Sequence, residues 1–563
     1  MDSHVWGSLL FRKYAQVNVP HVDDFIGSIP TTFTDMVNMI RSRSPVFADG
    51  VTLGNRKKLQ KSIRKFHVEA DTLTADVSNK IASLNIPNTE IFVSTHQPNL
   101  FPYAGILKKI VLLNALKDAV ENLDQNKKVT ALFVVLDHDF MDELWVHVAQ
   151  LPSIWNSLGT LDLRMPVSKS VSRKMICSIP VPTQTVLDSW KMQVKRWIAK
   201  CTSSNAHIRS RIIDNFNRYW IKVEETLSNA KTYGDFNSFL MSQLVNNVWQ
   251  YDSLFVRVSD LSTVFEEGYK YLVANFSAYS EALRRTEKVL TDYGIKTNVS
   301  SSSFDYFPLW LHCNCGSKAP TKIANEQESI TLVGMCLSCK KTLKAKIGSN
   351  GRAHISDVLL QSLSPRAISL LLLLSRELGI TCYCSGVGAI DYMIYGNAVF
   401  DVLSVKRPLI VFWPSRDVYN GIAQCEAINL IANAQPNVKD PLQGLKELKE
   451  QEIQFKCQIK ALITERSREV KNGGRIDFIL DNLFQLKEQQ RNFRNIITLT
   501  EKGIRVLKVS PCLVDYAVNF GIKNIESYWR QSLFRCDDLS APVLFDRNLP
   551  ANKQILNFLA HRV

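Results

Sequence analysis

A chain of 563 residues is longer than one hydrophobic core usually sustains, so several structural units are expected. Hydrophobic residues at 45% and charged residues at 21% argue against wholesale disorder, and no apolar run is long enough to span a bilayer. The formal charge of +15 suits RNA, a phosphorylated substrate or simple solubility. The basic residues are spread over helical faces (Arg56, Lys57, Lys58 and Lys61 in one, Lys191, Lys195, Arg196 and Lys200 in another), so nucleic acid is not the favoured partner.

Met1, Asp2, Ser3 and His4 do not open a basic and then apolar leader, so a cytoplasmic protein with no membrane association is expected. Twelve cysteines in such a chain do not make a disulfide framework, and eight of them are scattered.

In chain order, residues 1–90 read as a helical segment, with Lys58 to Leu84 the most periodic stretch. Pro87 and Asn88 punctuate the chain before a strand at Glu90 to Ser94. A helix from about Gly105 to Asn122 leads to a second strand, Val129 to Leu136, which is nearly all apolar. Continuous apolar strands are what a parallel sheet covered on both faces requires, so residues 91–160 are expected to form the first half of an α/β core. Residues 161–304 read as a mainly helical connection anchored by Trp190, Trp197, Trp220 and Trp249, with a short strand at Leu254 to Val258. The α/β pattern returns over residues 349–439: a helix at Ser364 to Leu378, a strand at Ile380 to Cys384, a Gly-containing loop, a helix, and a strand at Leu409 to Trp413.

Over residues 440–500, Leu445, Leu448, Phe455, Ile459 and Leu462, then Ile479, Leu483, Leu486, Phe493 and Ile497, recur at helical spacing around Lys471-Asn472-Gly473-Gly474. That pattern predicts an antiparallel helical hairpin with a coiled-coil seam. Such an arm serves a homodimer, another partner, or packing on the chain's own body. Residues 501–563 are read as a C-terminal helical segment.

Cysteines cluster only between residues 305 and 348, as Cys313 and Cys315, then Cys336 and Cys339. Two close pairs about twenty residues apart suit tetrahedral zinc in a β-hairpin ribbon, with a closed and therefore structural site. His312 and Cys315 also have CxxC-like spacing, so either His312 or Cys313 serves as the first ligand; redox chemistry is the alternative to metal.

Four loops at expected strand ends carry groups suited to chemistry. The first runs from Ser94 to Gly105 and includes His96, Gln97 and Asn99 ahead of a helix N-terminus, where backbone N–H groups favour phosphate. The second, Asp137-His138-Asp139-Phe140, sets two carboxylates beside a histidine, to orient it, to hold a cation or to bind a ribose or amine. The third holds Gly386, Gly388 and Tyr392, and the fourth, Pro414-Ser415-Arg416, ends a strand with a cation.

In order along the chain, these motifs resemble the bacillithiol-biosynthesis cysteine-adding (BshC) family. The matching residues are Gln97 with Leu100, Phe101 and Gly105; Asp137 to Phe140; Gly386, Gly388, Ile390 and Tyr392; and Pro414 with Arg416. The resemblance implies a HUP/Rossmann-type, class I synthetase-like core with a helical insertion and a coiled-coil arm that can dimerise. It also implies amide formation between cysteine and an aminosugar-type amine. Here Gly388 is followed by Ala389, Ser415 separates Pro414 from Arg416, and the ribbon is additional. The His96-Gln97-Pro98-Asn99 opening is similar to the WbqC-like family, whose amine substrate is undefined.

The expectation is a ligase or transferase joining an amino acid to an amine, with ATP, ADP or a related nucleotide over the first and third loops and Arg416 nearby. His96, His138 and Asp139 are the expected catalytic residues: His96 to stabilise phosphate charge, Asp139 to orient the amine or take its proton. Gln97, Asn99, Gly105, Asp137, Gly386, Gly388, Tyr392 and Arg416 are the expected binding residues. The rival reading is a non-catalytic module that binds RNA or a carrier.

Overall fold

A computed structural model describes residue 14 and residues 20–43, 49–203, 206–326, 329–349, 352–415, 417–436 and 440–546. Its centre is a five-stranded sheet built from β1 (Thr89–His96), β2 (Lys128–Val135), β3 (Leu254–Arg257), β4 (Cys382–Ser385) and β5 (Leu409–Phe412). The strands lie in the order β5-β4-β1-β2-β3, and every pairing is parallel. Nearly every residue of these strands is buried, which is why β2, β3 and β5 are mainly runs of Leu, Val, Ile and Phe and why even Cys382, Tyr383 and Cys384 of β4 lie inside.

Helix α1 (Ala104–Leu123) carries the chain from β1 to β2, and helix α2 (Ile390–Val402) carries it from β4 to β5. From the central neighbours β1 and β4 the connections therefore run in opposite directions across the sheet. The crevice outside the carboxyl ends of those two strands is the place where open parallel sheets bind ligands.

Two hydrophobic clusters cover the sheet. One gathers Val93, Leu132, Leu372 and Ile394. The other gathers Phe133, Phe255 and the helical connection, including Trp190, Trp197 and Trp220, with Trp249 at its edge. At the end of β3, Arg257 meets Asp235, Glu69 and Asp260 at 2.5, 2.5 and 2.8 Å, a buried cation matched by three carboxylates.

The cysteine-rich region forms a six-stranded antiparallel sheet that starts at Phe307–His312 and closes with Leu363–Pro365. One face, including Leu309, Leu311, Leu332 and Ile347, packs into the first cluster. Helices α3 (Pro441–Lys471) and α4 (Asp477–Leu507) form the hairpin, with Asp440 capping the first and Gly473 in the left-handed region at the turn (φ 70°). Ile459, Ile479 and Leu483 fill its seam. No helix among the described residues is long and apolar enough to cross a membrane.

Three elements differ from the sequence expectations. The stretch Lys58 to Leu84 is split into helices Gly50–Glu69 and Ala75–Ser83 by Asp71 (φ 55°), with Thr74 capping the second through the Val77 amide. A β-hairpin, Val148–Pro152 with Thr160–Arg164, stands at the start of the helical connection. The C-terminal segment holds helices Leu513–Phe520 and Ile525–Arg535 and then a strand, Val543–Asp546, parallel to Asp417–Asn420. Val543 and Phe545 are buried while Leu544 between them is exposed, the period of two that marks a strand.

Candidate functional site

Three of the four loops chosen from the sequence meet at the carboxyl edge of the sheet. His96 ends β1 half-buried, and its Nδ1 faces the Gln97 carbonyl at 3.1 Å. A carbonyl only accepts, so Nδ1 carries the proton and Nε2 presents a lone pair, 3.3 Å from the Tyr103 hydroxyl. Gly105 makes that contact feasible: a Cβ there would stand 2.9 Å from the Tyr103 ring. Burial, reinforced by the Lys109 ammonium, pushes the His96 pKa down to about 3. His96 is therefore neutral and brings no cationic charge to a phosphate.

Gln97 joins the first loop to the second. Its Nε2 donates to Asp139 Oδ2 at 3.1 Å, and its Oε1 accepts from Trp145 Nε1 at 3.1 Å. Burial works against an ionised Asp139, but Lys318, His138 and the Gln97 amide outweigh it and hold the carboxyl below its ordinary value. Asp137 is fully buried and accepts from the backbone N–H and the hydroxyl of Ser259, tying β2 to β3. It braces the loop, and burial raises its pKa to about 6.

His138 donates from Nε2 to the Pro365 carbonyl at 3.2 Å, while its buried Nδ1 has no partner. Burial first, then Lys318, lowers its pKa to about 4. Asn99 is 2% exposed, and neither its Oδ1 nor its Nδ2 is satisfied within the protein. Buried polar atoms without partners are costly, so water or a ligand is expected to complete them.

In the third loop, Gly386 leads from β4 and Gly388 has open space where a side chain would stand. Tyr392 lies in the first turn of α2, close enough to Asp139 for that charge to add to burial in raising its hydroxyl pKa. In the fourth loop, Ser415 is held by the buried Lys108, whose Nζ reaches the Ser415 carbonyl at 2.6 Å and Asp417 at 3.2 Å. Arg416 lies outside the described residues. Tyr103, Trp145 and Val387 are exposed on three of these loops and give the crevice a partly apolar rim.

The ribbon contributes a residue that the sequence reading missed. Lys318, wholly buried, donates from Nζ to the His138 carbonyl at 2.6 Å and lies 3.6 Å from Asp139 Oδ1. Its ammonium sits over the rings of Phe140 and Trp310 at 4.6 and 4.7 Å, and Arg366 lies over Trp310 at 5.1 Å. Nothing in the local sequence separates Lys318 from the ribbon's other lysines except its place just after the first cysteine knuckle.

Cys313, Cys315, Cys336 and Cys339 converge so that their sulfurs all lie within 4.8 Å of one another. Two separations are 3.6 and 3.5 Å, near the edge of about 3.8 Å that follows from Zn–S bonds of about 2.3 Å in a tetrahedron. His312 turns away, its Nε2 2.8 Å from the Ser364 hydroxyl, so Cys313 is the first member of the quartet. Four soft ligands and no open position fit a structural zinc ion.

Fold and site thus define a mixed α/β protein with a parallel sheet, loops rich in polar groups at its carboxyl edge, and a four-cysteine cluster at metal-binding distance. No protein-family model matches the chain, and no curated protein matches it.

Two outcomes follow. The purified protein should carry about one equivalent of zinc by elemental analysis, and Cys336→Ser should lose the metal and lower Tm; a metal-free wild type with unchanged Tm in chelator would contradict the ribbon site. Because folding keeps His138 neutral, unfolding takes up a proton below pH ~6.5, so stability is lost as pH falls from there towards 4. His138→Gln should remove up to about 3 kcal/mol of that decline in urea titrations across the window.

Proposed function

We propose that the chain is a Rossmann/HUP-type nucleotide-binding ligase or transferase that forms a C–N bond between an amino acid, cysteine or one like it, and an amine acceptor. The carrying observation is the convergence of the His96, Asp139 and Gly386 loops at the β1/β4 crevice, where the strand order reverses. The resemblance to the bacillithiol cysteine-adding enzymes supplies the reaction class.

In this reading the ionised Asp139 receives the amine and orients it. An amine that attacks an activated carboxyl must shed a proton, and the neutral His96 accepts it at Nε2. Gln97 fixes Asp139, Tyr103 fixes His96, and His138 holds the acidic loop against Pro365. Tyr103 and Trp145 provide flat surfaces for a base at the rim. The zinc ribbon is structural and holds Lys318 behind Asp139.

A second reading draws on the ribbon's outer strands. Lys322 and Lys344 flank Val333 in register, and Lys322, Lys344 and Lys346 are exposed. That face suits RNA or an acidic carrier, and its binding would weaken steeply with salt.

The test is calorimetric titration with ATP, ADP and AMP, with and without magnesium. Saturable binding of one nucleotide is expected, weakened about tenfold or more in Asn99→Ala, whose buried amide has no partner within the protein, and retained in Asp139→Asn and His96→Ala, whose roles are with the amine. No heat with any nucleotide, together with salt-sensitive RNA binding, would replace this reading with the second.

A further inference from the structure

The β1/β4 crevice contains a cation that the preceding roles do not use. Lys108 and Lys109 are consecutive on α1, so their side chains leave the helix about 100° apart. Lys108 turns to Ser415 and Asp417. Lys109 turns the other way, to the carboxyl end of β1, where its Nζ donates to the Thr95 carbonyl at 3.3 Å.

Other poorly exposed lysines of the molecule meet carboxylates: Lys108 with Asp417, Lys117 with Asp252, Lys80 with Glu121 and Lys318 with Asp139. Lys109 makes no ion pair among the described residues. An ammonium has three donors, and the Thr95 carbonyl uses one. Gly386 lies directly beside it: a Cβ there would stand 3.5 Å from Nζ, and any longer side chain would cover the ammonium. Burial lowers the Lys109 pKa to about 8, a penalty that a bound counter-charge would relieve.

We infer that Lys109 is the phosphate-binding residue of the crevice, its free N–H groups reaching past Gly386 to the oxygens of a nucleotide phosphate or of free pyrophosphate. The inference deepens the nucleotide reading and names the residue that takes the charge His96 does not. It also links the two groups. Neutralising Lys109 with an anion removes the charge that adds to burial in disfavouring His96 protonation, while Asp139 goes on favouring it, so phosphate binding raises the His96 pKa.

The experiment uses the full-length, zinc-loaded protein and measures affinity for pyrophosphate and for ATP by calorimetry. Lys109→Met should weaken both by about tenfold or more, and Lys109→Arg should keep both within about threefold. Gly386→Leu, which retains the lysine but covers it, should weaken both as well, with folding of each variant checked by its Tm. An NMR titration of His96 in the wild type should move upward in pH when pyrophosphate is added. Pyrophosphate binding that depends on Lys109 without ATP binding would keep this site and remove the nucleotide reading. ATP binding unchanged in Lys109→Met would keep that reading and overturn this site, and so would a wild type that binds neither ligand.

Discussion

Lys318 sets the relation between the two β systems. A buried ammonium is expensive unless it is paired and hydrogen-bonded, and this one meets both conditions only when the ribbon sits against the acidic loop. The same ammonium fills the space between Phe140 and Trp310, so an ionic contact and a packing contact depend on one side chain. The first pair of the cysteine quartet, Cys313 and Cys315, lies a few residues before it and orders the turn that places Lys318 at the start of its strand. The ribbon therefore forms one wall of the site.

The charge pattern of the crevice follows from burial and pairing. Asp139 has a cation behind it and remains ionised. His96 and His138 are disfavoured as cations first by burial and then by the lysines beside them, so both are neutral imidazoles. Lys109 keeps its charge without a carboxylate. A neutral base, an ionised acid and a cation with spare donors within one crevice suit a reaction in which an amine is oriented, loses a proton and displaces a phosphate-bearing group.

Much of the core was legible because its cues are local. The apolar runs of β1 and β2, the Gly473 turn between two heptad-like faces, and the paired cysteines all act over a few residues. The loops at strand ends were legible for the same reason, since a parallel sheet exposes its chemistry there. The strand order was not, because the β1–β4 pairing joins residues nearly three hundred positions apart. Which lysines become buried was equally hidden: Lys108 and Lys318 resemble any surface lysine until α1 and the ribbon dock. The strand at Val543–Asp546 carried no alternation in its sequence, since Val543, Leu544 and Phe545 are all apolar and only the fold exposes the middle one. That His96 stays neutral was hidden as well, because burial sets its pKa and Lys109, a neighbour that the linear motif does not identify as one, lowers it further.

The most direct test of the crevice as the ligand site is hydrogen–deuterium exchange, read by mass spectrometry, with and without saturating ATP and magnesium. The account predicts protection confined to peptides covering residues 97–110, 137–145 and 385–392, with the arm and the outer ribbon strands unchanged. Protection restricted to the ribbon peptides around residues 318–349, or none at these three loops, would contradict it.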